Sequence, residues 1–141
     1  MNDTEISLNG SAEANRLLVD SFTTRFLAGD VAGAAELCDE DIVLHVGGDH
    51  ELAGDHRGLG GVLQWIARST EILGGGSEHF EVLDVLGGQD HGAAYLRVMG
   101  DRPGRVSLDN HTVHLHRIVG GRIVEVWFHN RDQSVVDTFW R

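Results

Sequence analysis

Four runs of alternating apolar and polar residues fill the second half of this chain, and glycine-rich turn chemistry joins each to the next. The runs read roughly as Glu78 to Leu86, Gly92 to Met99, Val106 to Val119 and Arg122 to His129. Between them stand Gly87-Gly88-Gln89-Asp90, the stretch Gly100 to Gly104 with the only proline, and Gly120-Gly121. Period-two alternation puts one face of each run on a core, and tight turns leave consecutive runs no partner but each other. An antiparallel meander follows, and it needs something apolar to cover one face.

The first half supplies that cover. From Ala12 to Ala28, Ala14, Leu18, Phe22 and Phe26 fall on one helical stripe, with Gly29 placed as a C-cap. Asp30 then reads as the N-cap of a short second helix through Val31, Ala34, Ala35 and Cys38. Ile42 to Val46 is a first strand, and His50 to Arg57 a short return arm. Leu59 to Leu73 is a third helix, stopped by Gly74-Gly75-Gly76, and Asp132 to Trp140 closes the chain as a helical turn or a further extended piece. The order predicts an α+β domain: a cone-shaped, strongly curved antiparallel sheet with about three helices on its concave side. Three helices cannot fill the open end of such a sheet, so an internal ligand pocket is expected.

With 141 residues, residues 11–141 are read as a single domain behind a loose leader, residues 1–10. The formal net charge of −11 argues against nucleic acid and anionic membrane as partners. The lone cysteine, Cys38, cannot form an internal disulfide and suits a reducing cytoplasm as a small core residue. No apolar run approaches the roughly 20 residues of a membrane span, and the leader lacks the pattern of a signal peptide.

The order of elements and several motifs resemble the nuclear-transport-factor-2-like superfamily, in its SnoaL-like, ketosteroid-isomerase-related branch. The carriers are Phe26-Leu27-Ala28-Gly29-Asp30, Asp41-Ile42-Val43-Leu44-His45-Val46-Gly47-Gly48, and Leu52-Ala53-Gly54 followed by His56-Arg57-Gly58. Later come Val113-His114-Leu115-His116-Arg117, the Gly121 to Trp127 run, and Asp132-Gln133 with Val136-Asp137 and Phe139-Trp140. The resemblance implies the cystatin-like cone fold and a homodimer built on the outer sheet face, where Trp127 and Leu115 would lie unless the C-terminal segment covers them. It also maps residues. The carboxylate base of ketosteroid isomerases matches His45, and their protonated aspartate matches His114. The acid/base aspartate of SnoaL-type cyclases matches Phe128. The arginine–aspartate pair of limonene-epoxide-hydrolase-like enzymes is absent at Arg97-Val98-Met99, and His79 lies near a histidine of scytalone-dehydratase-like enzymes.

Strand alternation places Asn110, Thr112, His114 and His116 on one side, and the resemblance makes that side the pocket. His45 is expected to face the same cavity. Val126 and Phe128 are expected to supply an apolar wall, and Trp65 with Phe22 or Phe26 a roof. The resulting expectation is a cofactor-free enzyme working by proton transfer on a small apolar carbonyl or polyketide-like metabolite, as isomerase, cyclase or dehydratase. His45 would be the base and His114 the donor, since imidazole titrates near neutrality and a buried neutral ring can donate to an oxyanion. Asn110, Thr112 and His116 would contact substrate. Asp132 is either a carboxylate orienting a histidine or the N-cap of the terminal turn. Two alternatives stand beside this: a non-catalytic binding protein of the same fold, and a metal-dependent hydrolase with His114, His116 and His45 around Zn²⁺.

Overall fold

The computed structural model describes residues 3–141, with side chains from Ser11 onward. Helices α1 (Asp3–Leu27) and α2 (Val31–Ala35) precede strand β1 (Cys38–Val46), then β2 (Gly54–Arg57) and helix α3 (Gly58–Leu73). The meander is β3 (Ser77–Gly87), β4 (His91–Asp101), β5 (Leu108–Val119) and β6 (Arg122–Asn130), and helix α4 (Gln133–Trp140) ends the chain. Helix α1 begins at Asp3, within the stretch read as a leader; Met1 and Asn2 lie outside the described residues. No described helix is long and apolar enough to cross a membrane.

The six strands form one curved sheet in the order β2-β1-β6-β5-β4-β3. Every neighbouring pair is antiparallel except β1 with β6, which run parallel, so the sheet is mixed at that one seam. The seam joins the first strand to the last, and β2, α3 and β3 to β5 lie between them as the connection. Parallel neighbours require such a crossover.

Strand β4 shows why the helices gather on one side. Its burial alternates strictly: Gly92, Ala94, Leu96, Val98 and Gly100 are buried, and Ala93, Tyr95, Arg97 and Met99 are partly exposed. Helix α1 packs on the buried face across Gly92, where an added Cβ would stand 2.5 Å from Val19 Cγ2. Asn15 on the same helix donates from Nδ2 to Gly88 O and Gln89 O, both at 2.9 Å, and so ties α1 to the β3–β4 turn. Helix α4 packs Phe139, 1% exposed, on the same face at Gly100. The expected caps are present: Asp30 accepts from Gly33 N at 2.9 Å, and Asp132 from Val135 N at 3.2 Å. Cys38 is buried in the core, and burial raises its thiol to about 11, which leaves it inert.

Helix α3 is amphipathic yet has no fully buried residue. Its apolar face, Trp65, Ile66, Ser69, Thr70 and Leu73, looks into a cavity rather than onto packed side chains.

Candidate functional site

The cavity measures about 270 Å³ and lies between the buried face of the sheet and the three longer helices. Its walls are mainly apolar and aromatic: Phe26, Trp65, Phe80, Phe128 and Trp140, with Val46, Val98 and Leu108. The polar groups are few. Asn110, Thr112 and His114 come from β5, Asn130 from β6, Glu78 from β3, His50 from the β1–β2 loop, and Ser69 and Thr70 from α3. No Lys or Arg stands in the wall among the described residues.

His114 stacks on Phe128, with ring centroids 3.8 Å apart and planes 20° from parallel. Burial pushes its pKa down to about 3, helped by the neighbouring His116 ring, so the imidazole is neutral at physiological pH. Neither ring nitrogen has a hydrogen-bond partner on the protein among the described residues, so both are available to a ligand. Trp65 meets Phe128 edge-on at 5.7 Å and donates its indole N–H to Leu52 O at 3.2 Å, which leaves only its ring face for the cavity.

Glu78 was not anticipated from the sequence. It sits at the head of β3 on the same face as Phe80, and its carboxyl has no ion pair or hydrogen bond among the described residues. Burial alone raises its pKa to about 7. Among the described residues this is the cavity's one carboxylic acid, and it is poised to gain or lose a proton at neutrality. The available signal is the alternation of β3, which turns Glu78 and Phe80 inward and His79 outward.

His45 faces away from the cavity. On β1, Ile42, Leu44 and Val46 are buried and His45 falls on the opposite parity, so Val46 is the residue that reaches the pocket. The ring stacks on Trp127 at 5.3 Å, and its two nitrogens lie 2.6 Å from Asp55 Oδ1 and 2.6 Å from Glu125 Oε2. Two carboxylate acceptors require both nitrogens to donate, so this is an imidazolium. Burial works against the charge, but the hydrogen bonds to Glu125 and Asp55 outweigh it and the pKa is raised. A raised histidine pKa stabilises the fold fully below the unfolded value of 6.5, and that contribution is lost as pH rises through the folded value. His45→Gln is therefore expected to lower the melting temperature at about pH 6, with the deficit fading under alkaline conditions, and to leave ligand binding within about twofold of the parent.

Three more expected contacts lie behind the cavity wall. His116, 1% exposed, donates from Nδ1 to Gly92 O at 3.2 Å and meets Phe22 edge-on at 5.5 Å. Val126 is buried beside it, across the β5–β6 pairing. His116 and Val126 are thus buried under α1, with Phe22 of that helix packed over His116, because the helix closes on Gly92 and fills this end of the cone. Phe26, one helical turn further along, does reach the cavity. Asp132 orients no histidine; its side chain caps α4. The zinc arrangement also fails, since His114 is in the cavity, His116 behind it and His45 on the other face. No group of three potential ligands converges among the described residues.

A hydrogen-bonded chain backs the polar wall. Asn110 Oδ1 accepts from Asp132 N at 3.2 Å, and Asn110 Nδ2 donates to Asn130 Oδ1 at 3.0 Å. Asn130 Nδ2 donates to Gln133 Oε1 at 3.0 Å, and Gln133 Nε2 donates to Asp137 Oδ1 at 2.9 Å. Gly48 lies against this chain with φ +103°, and a Cβ there would collide with Asp137 and Gln133. Next to it is His50, whose Nδ1 accepts from Leu52 N at 3.1 Å and whose Nε2 lies 3.9 Å from Asp137 Oδ1 without a hydrogen bond.

A helix-capped, curved sheet enclosing an apolar cavity with sparse polar groups is the nuclear-transport-factor-2-like, cystatin-like fold. The SnoaL-like domain model matches residues 19–126, and the chain belongs to that SnoaL-like family. Uncharacterized proteins of Mycobacterium tuberculosis and Mycobacterium bovis are 30% identical to it over 129 residues, 91% of this chain and 97% of theirs. Among solved structures, Bal32a from a soil-derived mobile gene cassette superposes with a TM-score of 0.84 at 29% identity, covering 93% of this chain and 99% of its own. A Xanthomonas campestris protein of unknown function with a cystatin-like fold gives 0.78 at 31% identity, covering 89% and 98%. The fold is shared at lower identity by TerC co-crystallised with polyporic acid, at 12%, and by a Sinorhizobium meliloti protein assigned as a polyketide cyclase, at 20%.

Proposed function

We propose that this protein binds a small, largely apolar carbonyl or polyketide-like metabolite and moves a proton on it, as an isomerase, cyclase or dehydratase. The observation that carries this reading is Glu78: a carboxyl without a partner in an aromatic cavity, with its pKa lifted to about 7. A general base works best when its pKa lies near the working pH, and burial is the usual means of raising a glutamate there. In this reading Glu78 is the base, and His45, on the outer face, is not. As the carboxylate it removes a proton next to a carbonyl: the C–H bond breaks, the O–H bond forms on Glu78, and the electron pair moves to the carbonyl oxygen as an enolate. Return of the proton to another atom of the ligand completes an isomerisation, and return to a departing hydroxyl completes a dehydration.

His114, neutral and six residues along β5 from the Leu108 row that holds Glu78, binds the far end of the ligand. The polyketide-like class draws on the SnoaL-like family and on fold relatives such as the Sinorhizobium meliloti protein assigned as a polyketide cyclase. We also infer a homodimer through the outer sheet face. Trp127 and Leu115 lie side by side there, and α4, on the opposite face, does not cover them.

The direct test uses 1-tetralone, a bicyclic enolisable ketone, in D₂O. The protein is expected to incorporate deuterium next to the carbonyl at least about 100-fold faster than buffer, the low end for general acid–base catalysis. Binding of the ketone without exchange above buffer would contradict proton transfer and leave a ligand-binding protein.

A further inference from the structure

We infer that the side-chain amides of Asn110 and Asn130 form a two-donor clamp for the ligand's carbonyl oxygen, and that the chain behind them fixes both amides with their N–H groups available to the cavity. This rests on the acid–base reading of Glu78. The amide orientations follow from the two ends of the chain. At one end the donor is a backbone N–H, that of Asp132, so the Asn110 atom accepting it is the oxygen. Asn110 then presents Nδ2 to Asn130, whose accepting atom must be Oδ1, and Asn130 in turn donates Nδ2 to Gln133. At the other end the acceptor is the Asp137 carboxylate, which fixes Gln133 with its nitrogen toward Asp137 and its oxygen toward Asn130. Both ends give the same answer. Each asparagine oxygen is occupied, and each amide nitrogen keeps a second proton with no protein acceptor among the described residues. Both residues line the cavity.

The neighbouring polar groups make the wall selective. Thr112 spends its hydroxyl proton on His129 O at 3.2 Å, so at this level the amides are the donors. Register also places them well for Glu78. Glu78 shares a cross-strand row with Gly100 and Leu108, and Asn110 sits on the adjacent inward-facing row with Val98 and Phe80. His114 is two rows further along β5 than Asn110. An oxygen held at the asparagines brings the carbon beside it toward Glu78, and two preorganised N–H donors stabilise the enolate that Glu78 generates. The clamp therefore selects ligands with a carbonyl or enolic oxygen next to an apolar ring system.

The test compares 2-naphthol, whose naphtholate mimics an enolate, with naphthalene, which has no oxygen. Binding is measured by fluorescence in the Glu78→Gln protein, which removes the competing carboxylate. The expected result is that naphtholate binds at least about tenfold more tightly than naphthalene. Asn130→Leu is then expected to erase that preference while naphthalene affinity stays within about threefold. Asn110→Ser, whose hydroxyl can still accept from Asp132 N, gives the same answer should the leucine variant not fold. Equal binding of the two probes, or a preference that survives both substitutions, overturns the clamp but leaves the acid–base reading to the tetralone exchange. Failure of both probes to bind overturns the clamp together with the pocket chemistry on which it rests.

Discussion

Glu78→Gln is expected to lower turnover by about 10²–10⁴-fold, the span that a positioned general acid or base contributes. The amide keeps the size and polarity of the carboxyl and loses only the exchangeable proton, so ligand affinity should change little while kcat falls. In the parent the rate should rise with pH through about 7, as the carboxylate form accumulates, and the variant should lack that limb. Stability moves the other way. A carboxyl whose folded pKa lies above its unfolded value holds a proton in the folded state that the unfolded chain releases. From the ordinary value of 4.5 up to about 7 the folded protein therefore loses stability as pH rises. A shift of that size corresponds to about 3 kcal/mol at most. The variant should show a flatter stability profile across this window. Loss of activity coupled to a flatter pH profile is the signature of a functional group held at a cost to the fold, and a structural glutamate would not produce it.

Phe139→Ala should have the largest effect on the fold, a loss of about 3–5 kcal/mol in urea unfolding. The ring is 1% exposed, packs edge-on against Trp140 at 5.1 Å, and covers Gly100 on the buried face of β4. Its neighbour Trp140 lines the cavity, and the Arg102 guanidinium donates to Phe139 O from the β4–β5 turn. Removing the ring leaves a void between α4 and the sheet, at the end of the pocket where Glu78 stands. The prediction therefore couples two readings: a lower unfolding midpoint and weaker binding of apolar probes. Unchanged stability would mean that α4 is not seated as described.

Much of the architecture was legible because each piece rests on a local rule. The alternation of β4, the cap at Asp30 and the glycine stop after Leu73 each point to one local structure. Alternation also grouped Asn110, Thr112, His114 and His116 correctly on one face of β5. Two facts of the site were not local. Which face of β1 looks inward depends on its parallel pairing with β6, where Val46 stands beside Phe128 and His45 beside Trp127. The resemblance placed His45 in the cavity, whereas its parity on β1 is opposite to that of Leu44 and Val46, and opposite parity means the opposite face. The depth of the cavity depends on where α1 docks: the helix closes over Gly92, so His116 and Phe22 stand outside the cavity while His114 and Phe26 line it. Glu78 escaped notice because a glutamate at the head of a strand looks like a solvated end until α3 and α4 are seen to fold over it. The parallel seam itself had no sequence signal, since a strand's apolar pattern does not state its partner's direction.

A carbon-13 NMR titration of the Glu78 side-chain carboxyl tests the central claim most directly. A midpoint near 7 would establish an acid–base group poised at neutrality inside the cavity. A midpoint near the ordinary 4.5 would show a solvated carboxylate and contradict the account.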